Sequence, residues 1–295
     1  MTRKASKDKL VLGIPKGSLQ ESTLDLFARA GYSIAVSSRS YSPAIDDEQI
    51  AVIVFRAQEM SRYVEDGVID VGLTGYDWIC ENGSDVVEVA ELVYAKQRLC
   101  PVRWVLAVLD ESPVRRPKDL DGGIVATELV NVTRDYFAKK KINVKVEFSY
   151  GATEIKARLV DGIVEVTETG SSLSENQLRE VDTVLVSSTR LIANKEAMKL
   201  RWKRQKIENL AILLKGAIAA REKVGLKMNV PRKALKGVTK LLPAEKSPTI
   251  SSLVDPDWVA LEVIVDERVE RDLVPKLKRA GATGIITYPL NKVIP

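Results

Sequence analysis

The most informative absence from this sequence of 295 residues is histidine, which does not occur at all. A serine–histidine–aspartate triad, a histidine general base and a histidine-ligated zinc site are therefore excluded. Aromatic residues make up only 5% of the chain, so few side chains are available for stacking on nucleic-acid bases. Any catalysis has to use lysine, arginine, carboxylates, hydroxyls, backbone amides or a carboxylate-bound metal.

Cysteine is also scarce, since Cys80 and Cys100 are the only two. Two cysteines do not make a disulfide framework, and buried thiols are the simpler interpretation. No apolar run has the roughly 20 residues needed to cross a bilayer. The N-terminal segment MTRKASKDKLVLGIP lacks the apolar region and cleavage site of a signal peptide. We therefore expect a cytoplasmic protein that contacts neither a membrane nor a secretory pathway.

What the chain does contain is a hydrophobic fraction of 45%, enough for a sizeable core, and a net charge of +5. This mild positive charge suits small anionic substrates. Nucleic-acid binders usually concentrate their basic residues on one surface, whereas here they are scattered among acids. The basic run Arg201–Lys206 is interpreted as a solvated helix face, with an oligomer or anion contact as the alternative.

Strands and helices alternate through the first two thirds of the chain, which predicts parallel sheets flanked by helices. Short helical patterns lie between the apolar runs and stop at glycines such as Gly31 and Gly67. The predicted strands are 9–15, 50–55, 68–74, 104–110, 123–128, 143–149 and 162–168.

An internal repeat predicts two similar α/β lobes. The segments 57–75 and 152–170 share seven identical residues in an ungapped comparison, and Asp70 matches Glu165. Any helix–glycine–strand–glycine unit looks broadly like this, but the identities favour a duplication. Because ligands of open α/β sheets bind beyond the carboxyl ends of the strands, the two Thr-Gly turns that end these segments are expected at a cleft between the lobes.

The last part of the chain has a different order of elements. A strand and a helix are followed by two strands joined at Asp255-Pro256-Asp257, then by a helix and a final strand. The order β-α-β-β-α-β predicts a ferredoxin-like domain.

The segment DGIVEVTETGSSL, residues 161–173, combines carboxylates with a turn that suits a phosphate. Alternation places Asp161, Glu165 and Thr167 on one strand face. The Thr169–Ser172 turn offers backbone N–H groups and hydroxyls at a helix start. A sugar phosphate would use both, with its phosphate on the turn and its hydroxyls on the acids. Taken alone, the turn fits an ordinary helix start with a capping serine better than it fits a ligand site.

Three cations stand where strands begin or end. Lys16 follows the first predicted strand, Arg56 ends the second, and Arg103 begins the strand 104–110. Each could hold a phosphate as a fixed positive charge, and each fits an exposed rim position equally well.

Four segments in chain order resemble the long form of ATP phosphoribosyltransferase, the first enzyme of histidine biosynthesis. They are IPKGSLQESTLDLFARAGY, FRAQEMSRYVEDGVIDVGLTGYDWI, YGATEIKARLVDGIVEVTETGSSLSENQL and SPTISSLVDPDWVALEVIV. The resemblance implies an α/β fold with a two-lobed core like that of periplasmic binding proteins, and a C-terminal ferredoxin-like regulatory domain. The implied boundaries are 1–97 plus 187–215 for one lobe, 98–186 for the other and 220–295 for the regulatory domain.

The family's reaction joins N1 of ATP to the anomeric carbon of phosphoribosyl pyrophosphate and releases pyrophosphate, with Mg²⁺ as cofactor. No general base is required, because adenine N1 already has a lone pair. A protein without histidine can therefore run it. Fixed positive groups and a metal near the departing pyrophosphate would stabilise the transition state most.

The resemblance also implies roles for individual residues. Asp161 and Glu165 would bind ribose hydroxyls and Mg²⁺, and the family usually has aspartate where this chain has Glu165. Ser18 stands where the family usually has arginine. The remaining implied substrate contacts are Lys16, Gly17, Arg56 and Arg103 for pyrophosphate or ATP phosphates, Thr74, Gly75 and Asp77 for the nucleotide, and Thr169, Gly170, Ser171, Ser172 and Leu173 for the 5′-phosphate.

In the tail, the resemblance implies a pocket for the inhibitor histidine at Asn229, Thr249 and Gly284, where the family can have aspartate at the Asn229 position. Histidine would shift the enzyme toward a poorly active form. A homo-oligomer, dimer to hexamer, is also implied.

Two other hypotheses remain open at this stage. A two-lobed, non-catalytic receptor for a small solute with an effector domain has the same architecture, because fold does not fix function. A nucleic-acid surface is the weaker alternative, since the basic residues are dispersed.

Overall fold

The computed structural model of the chain describes residues 8–36, 41–94, 100–168, 170–243 and 248–294. They form two compact units, one extending to Ile212 and the other beginning at Leu213. Within these ranges, no helix is both long and apolar enough to cross a membrane.

The first unit contains twelve strands among its described residues. In chain order they are β1 (Leu10–Lys16), β2 (Ile34–Ala35), β3 (Ala44–Ile45), β4 (Ile50–Arg56), β5 (Val71–Gly75), β6 (Val87–Leu92), β7 (Val102–Leu109), β8 (Ile124–Thr127), β9 (Lys145–Phe148), β10 (Gly162–Thr167), β11 (Leu178–Ser187) and β12 (Thr189–Ala193).

Helices connect most of these strands. They are α1 (Gln20–Ala30), α2 (Ala57–Glu65), α3 (Tyr76–Asn82), α4 (Val130–Lys139), α5 (Thr153–Lys156), α6 (Ser171–Glu175), α7 (Lys195–Lys199) and α8 (Arg201–Ala220), with a 3₁₀ turn at Pro117–Leu120.

The first sheet has the order β4-β1-β5-β12-β6. Strand β1 lies between β4 and β5 and is parallel to both. Leu10, Leu12 and Ile14 of β1 are fully buried, as expected for a parallel strand covered by helices on both faces. Lys16 is in register with Arg56, so β1 and β4 end side by side at one edge of the sheet.

The second sheet has the order β11-β7-β10-β8-β9. Strand β8 is parallel to β9 and β10, but β7 is antiparallel to β10 and β11. In the first sheet, β12 likewise runs antiparallel to β5 and β6. The sequence-based prediction of parallel sheets is therefore correct only for part of each sheet. The exceptions are β7 and β12, each of which is the first strand after the chain crosses from one sheet to the other.

The chain passes between the two sheets twice. It leaves the first sheet after Leu92 and enters the second at Val102, then returns between Ser187 and Thr189. Sequence analysis assigned no strands to 178–193, although β11 and β12 lie there and bring the chain back. These two passages place the carboxyl ends of β1, β4 and β5 opposite the carboxyl ends of β8 and β10.

A buried ion pair ties α8 to the first sheet. Lys203 Nζ lies 2.6 Å from Asp70 Oδ2, and the two side chains are only 5% and 6% exposed. The same carboxylate oxygen accepts the Val11 N–H at 2.8 Å. The interpretation of Arg201–Lys206 as a solvated face is therefore wrong at Lys203, which turns inward to neutralise an acid that would otherwise be buried alone.

The second unit follows the β-α-β-β-α-β order predicted from the sequence. Its elements are β13 (Lys223–Pro231), a 3₁₀ turn (Arg232–Ala234), α9 (Leu235–Thr239), β14 (Thr249–Ser252), β15 (Trp258–Asp266), α10 (Glu267–Arg279) and β16 (Thr283–Pro289).

The four strands of this unit are antiparallel in the order β14-β15-β13-β16, which is the ferredoxin-like arrangement. Leu226 and Met228 of β13 pack with Leu261 of β15 and with Leu273 and Leu277 of α10 in one buried cluster. One face of the sheet is therefore buried under its helices.

Candidate active site

A cavity of about 470 Å³ lies between the two sheets of the first unit. Its walls come from the carboxyl ends of β1, β4 and β5 on one side and of β8 and β10 on the other, where ligands of α/β proteins usually bind. Both passages of the chain contribute to the lining, through Tyr94, Cys100 and Ser187–Thr189. The volume is typical of a site for a small molecule.

The wall formed by the first sheet carries positive charge. Lys16 and Arg56 both line the cavity. Lys16 Nζ donates to Tyr41 Oη at 3.1 Å and lies 4.3 Å from the centre of that ring, a cation–π contact that holds the ammonium group at the cavity edge. Gly17 has φ +105° and open space around it, so the β1–α1 turn leaves backbone accessible beside Lys16.

Arg103 does not belong to this wall. Its neighbours Val102 and Trp104 and its β10 partner Thr167 line the cavity, but Arg103 does not, because its side chain reaches toward β11. There its guanidinium lies 2.5 Å from Glu180 Oε1 and contacts the Thr183 hydroxyl. The ion pair with Glu180 of β11, a contact between residues far apart in the sequence, accounts for this placement.

The wall formed by the second sheet is acidic. Glu165 lines the cavity from β10, and its Oε1 accepts its neighbour's N–H, from Val166, at 2.9 Å. Burial, and then the negative charges of Glu154 and Glu128, raise the pKa of Glu165 to about 7, although hydrogen bonds from Val166 and Thr153 oppose the shift. The carboxyl group can therefore accept hydrogen bonds from a ligand or pair with a positively charged group.

Two further acids line the same wall and were missed by the sequence analysis. Burial raises the pKa of Glu128, while a hydrogen bond from Gln58 and the charge of Arg56 act against the shift. Glu168 lines the same wall, and its buried Oε2 finds no hydrogen-bond partner among the residues that the structure describes. Glu128 directly follows β8 and Glu168 directly follows β10, so the rule that sites lie beyond strand ends could have found both.

Asp161 lies at the opposite end of β10 from the cavity. It precedes the strand, and its Oδ2 accepts the Ile124 N–H at 2.8 Å. This bond joins the start of β10 to the start of β8, a structural contact within the sheet. Sharing a strand face with Glu165 does not bring Asp161 to the cavity, because four residues of extended chain separate the two by about 13 Å.

The turn after β10 adjoins the cavity at Glu168. Thr169 lies outside the described residues. Gly170 has φ +80° and donates its N–H to Thr167 Oγ1 at 2.7 Å. Ser171 is exposed, the Ser172 hydroxyl donates to Glu154 at 3.2 Å, and Leu173 is buried. Leu173 therefore anchors the turn through its side chain while the serines remain near the surface.

The other Thr-Gly turn is largely occupied by internal contacts. The buried Thr74 hydroxyl donates to the Ala57 carbonyl at 2.8 Å, whereas Gly75 and Asp77 line the cavity. Asp77 is 5% exposed and its Oδ2 accepts Trp104 Nε1–H at 2.6 Å. Burial raises the pKa of Asp77. Asp77 thus connects α3 to β7 across the floor of the cavity.

The three residues implied for the tail are all exposed and lie on three strands. A Cβ built on Gly284 would be 3.8 Å from Asn229 Nδ2, so these two residues are neighbours on β16 and β13. Thr249 pairs with Glu262 of β15, whereas Asn229 pairs with Ala260. Thr249 is therefore separated from the other two by the width of β15.

Comparison with known proteins identifies the family. The model of the family HisG, ATP phosphoribosyltransferase, matches residues 56–216, and that of HisG, C-terminal domain, matches 220–292. The ATP phosphoribosyltransferase of Chlorobium luteolum is 58% identical over 290 residues, covering 98% of this chain and 99% of the relative. That of Thermodesulfovibrio yellowstonii is 57% identical over 291 residues, covering 98% and 100%.

A solved structure supports the same family assignment. The ATP phosphoribosyl transferase (HisG:HisZ) complex from Thermotoga maritima superposes with a TM-score of 0.59 at 26% identity, over 70% of this chain and 96% of that chain. The match to the C-terminal domain agrees with the ferredoxin-like unit found in the structure. The predicted fold class, a two-lobed α/β core followed by this domain, is confirmed. The chain belongs to the ATP phosphoribosyltransferase family, in its long form.

Proposed function

We propose that this chain transfers the phosphoribosyl group of phosphoribosyl pyrophosphate to N1 of ATP in the cavity between the two sheets. The C1–O bond to pyrophosphate breaks and its electron pair leaves with pyrophosphate, while adenine N1 donates the pair that forms the new C1–N bond. The observation that carries the proposal is the opposite charge of the two walls: Lys16 and Arg56 face the acids Glu165 and Glu168.

Family membership favours this reaction over the receptor hypothesis, because the relatives over the full length are named as transferases. Incubation with both substrates is expected to yield phosphoribosyl-ATP and pyrophosphate in equal amounts. Binding of either substrate without product would instead support a receptor. As a biosynthetic enzyme, the protein is proposed to act in the cytoplasm.

The acidic wall is proposed to hold the ribose. The unpartnered Oε2 of Glu168 and the strongly perturbed carboxyl group of Glu165 would accept hydrogen bonds from the two ribose hydroxyls. This would satisfy a buried acceptor that otherwise destabilises the protein. We replace Asp161 by Glu168 in this role, because the Asp161 carboxylate already bonds to the backbone of β8.

The turn that starts at Thr169 is proposed to bind the 5′-phosphate. Gly170 places the backbone in a left-handed conformation with open space around it, which allows close approach of an anion. Ser171 and Ser172 would add hydroxyl donors, and Leu173 would contribute its backbone, since its side chain is buried.

The residues present fit a magnesium ion that arrives with the substrate. No group of three or more Asp, Glu or Cys side chains among the described residues is arranged as a complete metal site. Mg²⁺ commonly uses one or two carboxylates plus substrate phosphates and water. Glu165 and Glu168 could supply the carboxylates. When bound, the ion would neutralise charge on the departing pyrophosphate.

Arg56 is proposed to stabilise the departing pyrophosphate together with Lys16. Replacing Arg56 with alanine is expected to lower kcat about 10²- to 10³-fold, as for the loss of one preorganised transition-state contact. Steady-state kinetics with both substrates measures the effect. Arg103→Ala is the matched control, because that side chain does not line the cavity and pairs with Glu180 instead, and it should keep nearly full activity. Equal losses in the two variants would contradict the assignment of the positive wall.

Inhibition by histidine is proposed to act through the exposed sheet face that carries Asn229 and Gly284, with Thr249 at its margin. Asn229→Leu should raise the histidine concentration for half-inhibition at least about 10-fold while leaving the uninhibited rate unchanged, as measured by titration of the initial rate. Asn291→Leu, also exposed in this unit, should leave inhibition intact. Unchanged inhibition of Asn229→Leu would remove this face from the effector site.

We also propose that the chain forms homo-oligomers, dimer to hexamer, through which the effector signal is transmitted. Family membership supports this proposal.

A further inference from the structure

A second cavity, of about 370 Å³, lies on the second sheet's side of the first unit and shares no residue with the active-site cavity. Two separate segments form it. The 3₁₀ turn Pro117–Leu120 and the preceding Arg116 make one wall, and the residues just after α4, Lys140–Ile142, make the other. We propose that this cavity is a binding site for a phosphate polyanion of the size of a diphosphate.

Charge is the first argument. Arg116, Lys118, Lys140 and Lys141 line the cavity, together with a single acid, Asp121. Like charges brought together from segments more than 20 residues apart repel one another, and an anion between them would remove this repulsion. A basic run at the end of α4 alone would be explained by the helix dipole, but that explanation does not apply to Arg116 and Lys118.

The surrounding acids are already engaged. Asp121 Oδ1 accepts the Asn143 N–H at 2.8 Å. Asp119 accepts the N–H groups of Arg115 and Arg116, and these backbone bonds, more than the Arg116 guanidinium, lower its pKa. Asp182 accepts from Tyr136 and pairs with Lys140.

Two of the lining cations therefore remain uncompensated. For Lys118 and Lys141, no ion pair occurs within the part of the chain that the structure describes. Lys141 also has φ +58°, a left-handed conformation that glycine or asparagine would adopt at less cost. The lysine at this position lines the cavity despite that cost.

The chemistry of the lining defines the ligand class. Lysine and arginine donors without an aromatic side chain suit phosphate oxygens and offer no platform for a base. The volume exceeds that of one phosphate group. Two sources share this chemistry: free pyrophosphate, which the proposed reaction releases, and the phosphate tail of a nucleotide.

The test uses calorimetry at low salt on the full chain carrying Arg56→Ala, which weakens anion binding at the active site. Inorganic pyrophosphate is expected to bind this protein, and adding Lys118→Ala and Lys141→Gly should weaken that binding at least 10-fold. Lys139→Ala, in the same basic run but outside the cavity, is the control. Unchanged pyrophosphate affinity in the triple variant, or no binding below millimolar concentration, would overturn the proposal.

Two further measurements complete the design. Titration with ATP and with AMP distinguishes the two sources. A site for the phosphate tail of a nucleotide would bind ATP, whereas a site for free pyrophosphate would bind pyrophosphate better than either nucleotide. Lys118→Ala/Lys141→Gly in the otherwise unchanged chain should retain full kcat, so failure of the second site is distinguishable from failure of the proposed reaction. If kcat fell by the same factor as the pyrophosphate affinity, the two cavities could not be separate sites, and the proposal would be overturned.

Discussion

Replacing Glu165 with glutamine is expected to lower kcat/KM about 10- to 100-fold, the loss that follows when a charged acceptor of a hydrogen bond is made neutral. The same change is expected to stabilise the ligand-free protein at high pH. Burial and neighbouring acids raise the pKa of Glu165 from 4.5 to about 7 in the folded state. The charge of this cavity-lining side chain therefore works against the fold.

The direction of the pH dependence follows from proton binding. Between pH 4.5 and about 7 the folded protein holds a proton on Glu165 that the unfolded chain has lost, so stability falls as the pH rises through this window. The full penalty, at most about 3 kcal/mol, applies above the folded pKa. Glutamine is neutral at every pH, so the variant avoids this penalty.

Urea denaturation at about pH 5 and about pH 8.5 tests this expectation. The variant should match the wild type at the lower pH and exceed it at the higher pH, with kcat/KM measured in parallel. Glu175→Gln, at an exposed position of α6 in the same lobe, should change neither quantity. Wild-type kcat/KM in Glu165→Gln would disprove the ribose contact, and a pH-independent stability difference would disprove the buried charge.

Replacing Lys203 with methionine should destabilise the protein by about 3–5 kcal/mol, because Asp70 would keep a buried charge without its partner. The two atoms are 2.6 Å apart and both side chains are at least 94% buried. Changing both residues, Asp70→Asn with Lys203→Met, should recover most of the loss, since the asparagine oxygen can still accept the Val11 N–H.

Urea denaturation of the two variants and the wild type, in a double-mutant cycle with Asp70→Asn alone, measures this coupling. Lys206→Met, whose partner Asp47 is more exposed, serves as the comparison and should lose about 1 kcal/mol or less. A loss below about 1 kcal/mol for Lys203→Met, or no recovery in the double variant, would contradict the assigned role.

The repeat shows both the power and the limit of the sequence. It predicted two related lobes and placed Asp70 and Glu165 at matched positions. In the structure, Asp70 neutralises Lys203 of α8, whereas Glu165 lines the cavity and forms no ion pair within the described ranges. The difference depends on α8, which follows the repeated units and supplies Lys203 to the first of them. No local pattern could reveal which carboxylate would acquire a lysine from more than 130 residues away.

The site was predicted best where strand ends define it. Lys16, Arg56, Gly75 and Glu165 all reach the cavity because they lie at or near carboxyl ends of strands. Asp161 and Arg103 do not line it, since Asp161 stands at the opposite end of β10 and Arg103 pairs with Glu180 of β11. Strand direction, applied strictly, would have excluded Asp161, whereas the pairing of Arg103 with Glu180 depends on β11 lying next to β7.

The two passages of the chain between the sheets have a further consequence. The second sheet is one continuous insertion into the first, so any rotation of one lobe against the other must twist both passages together. Tyr94, Cys100 and Ser187–Thr189 of these passages line the cavity. The connections between the lobes thus belong to the lining of the cavity, and a substrate bound there would contact them directly.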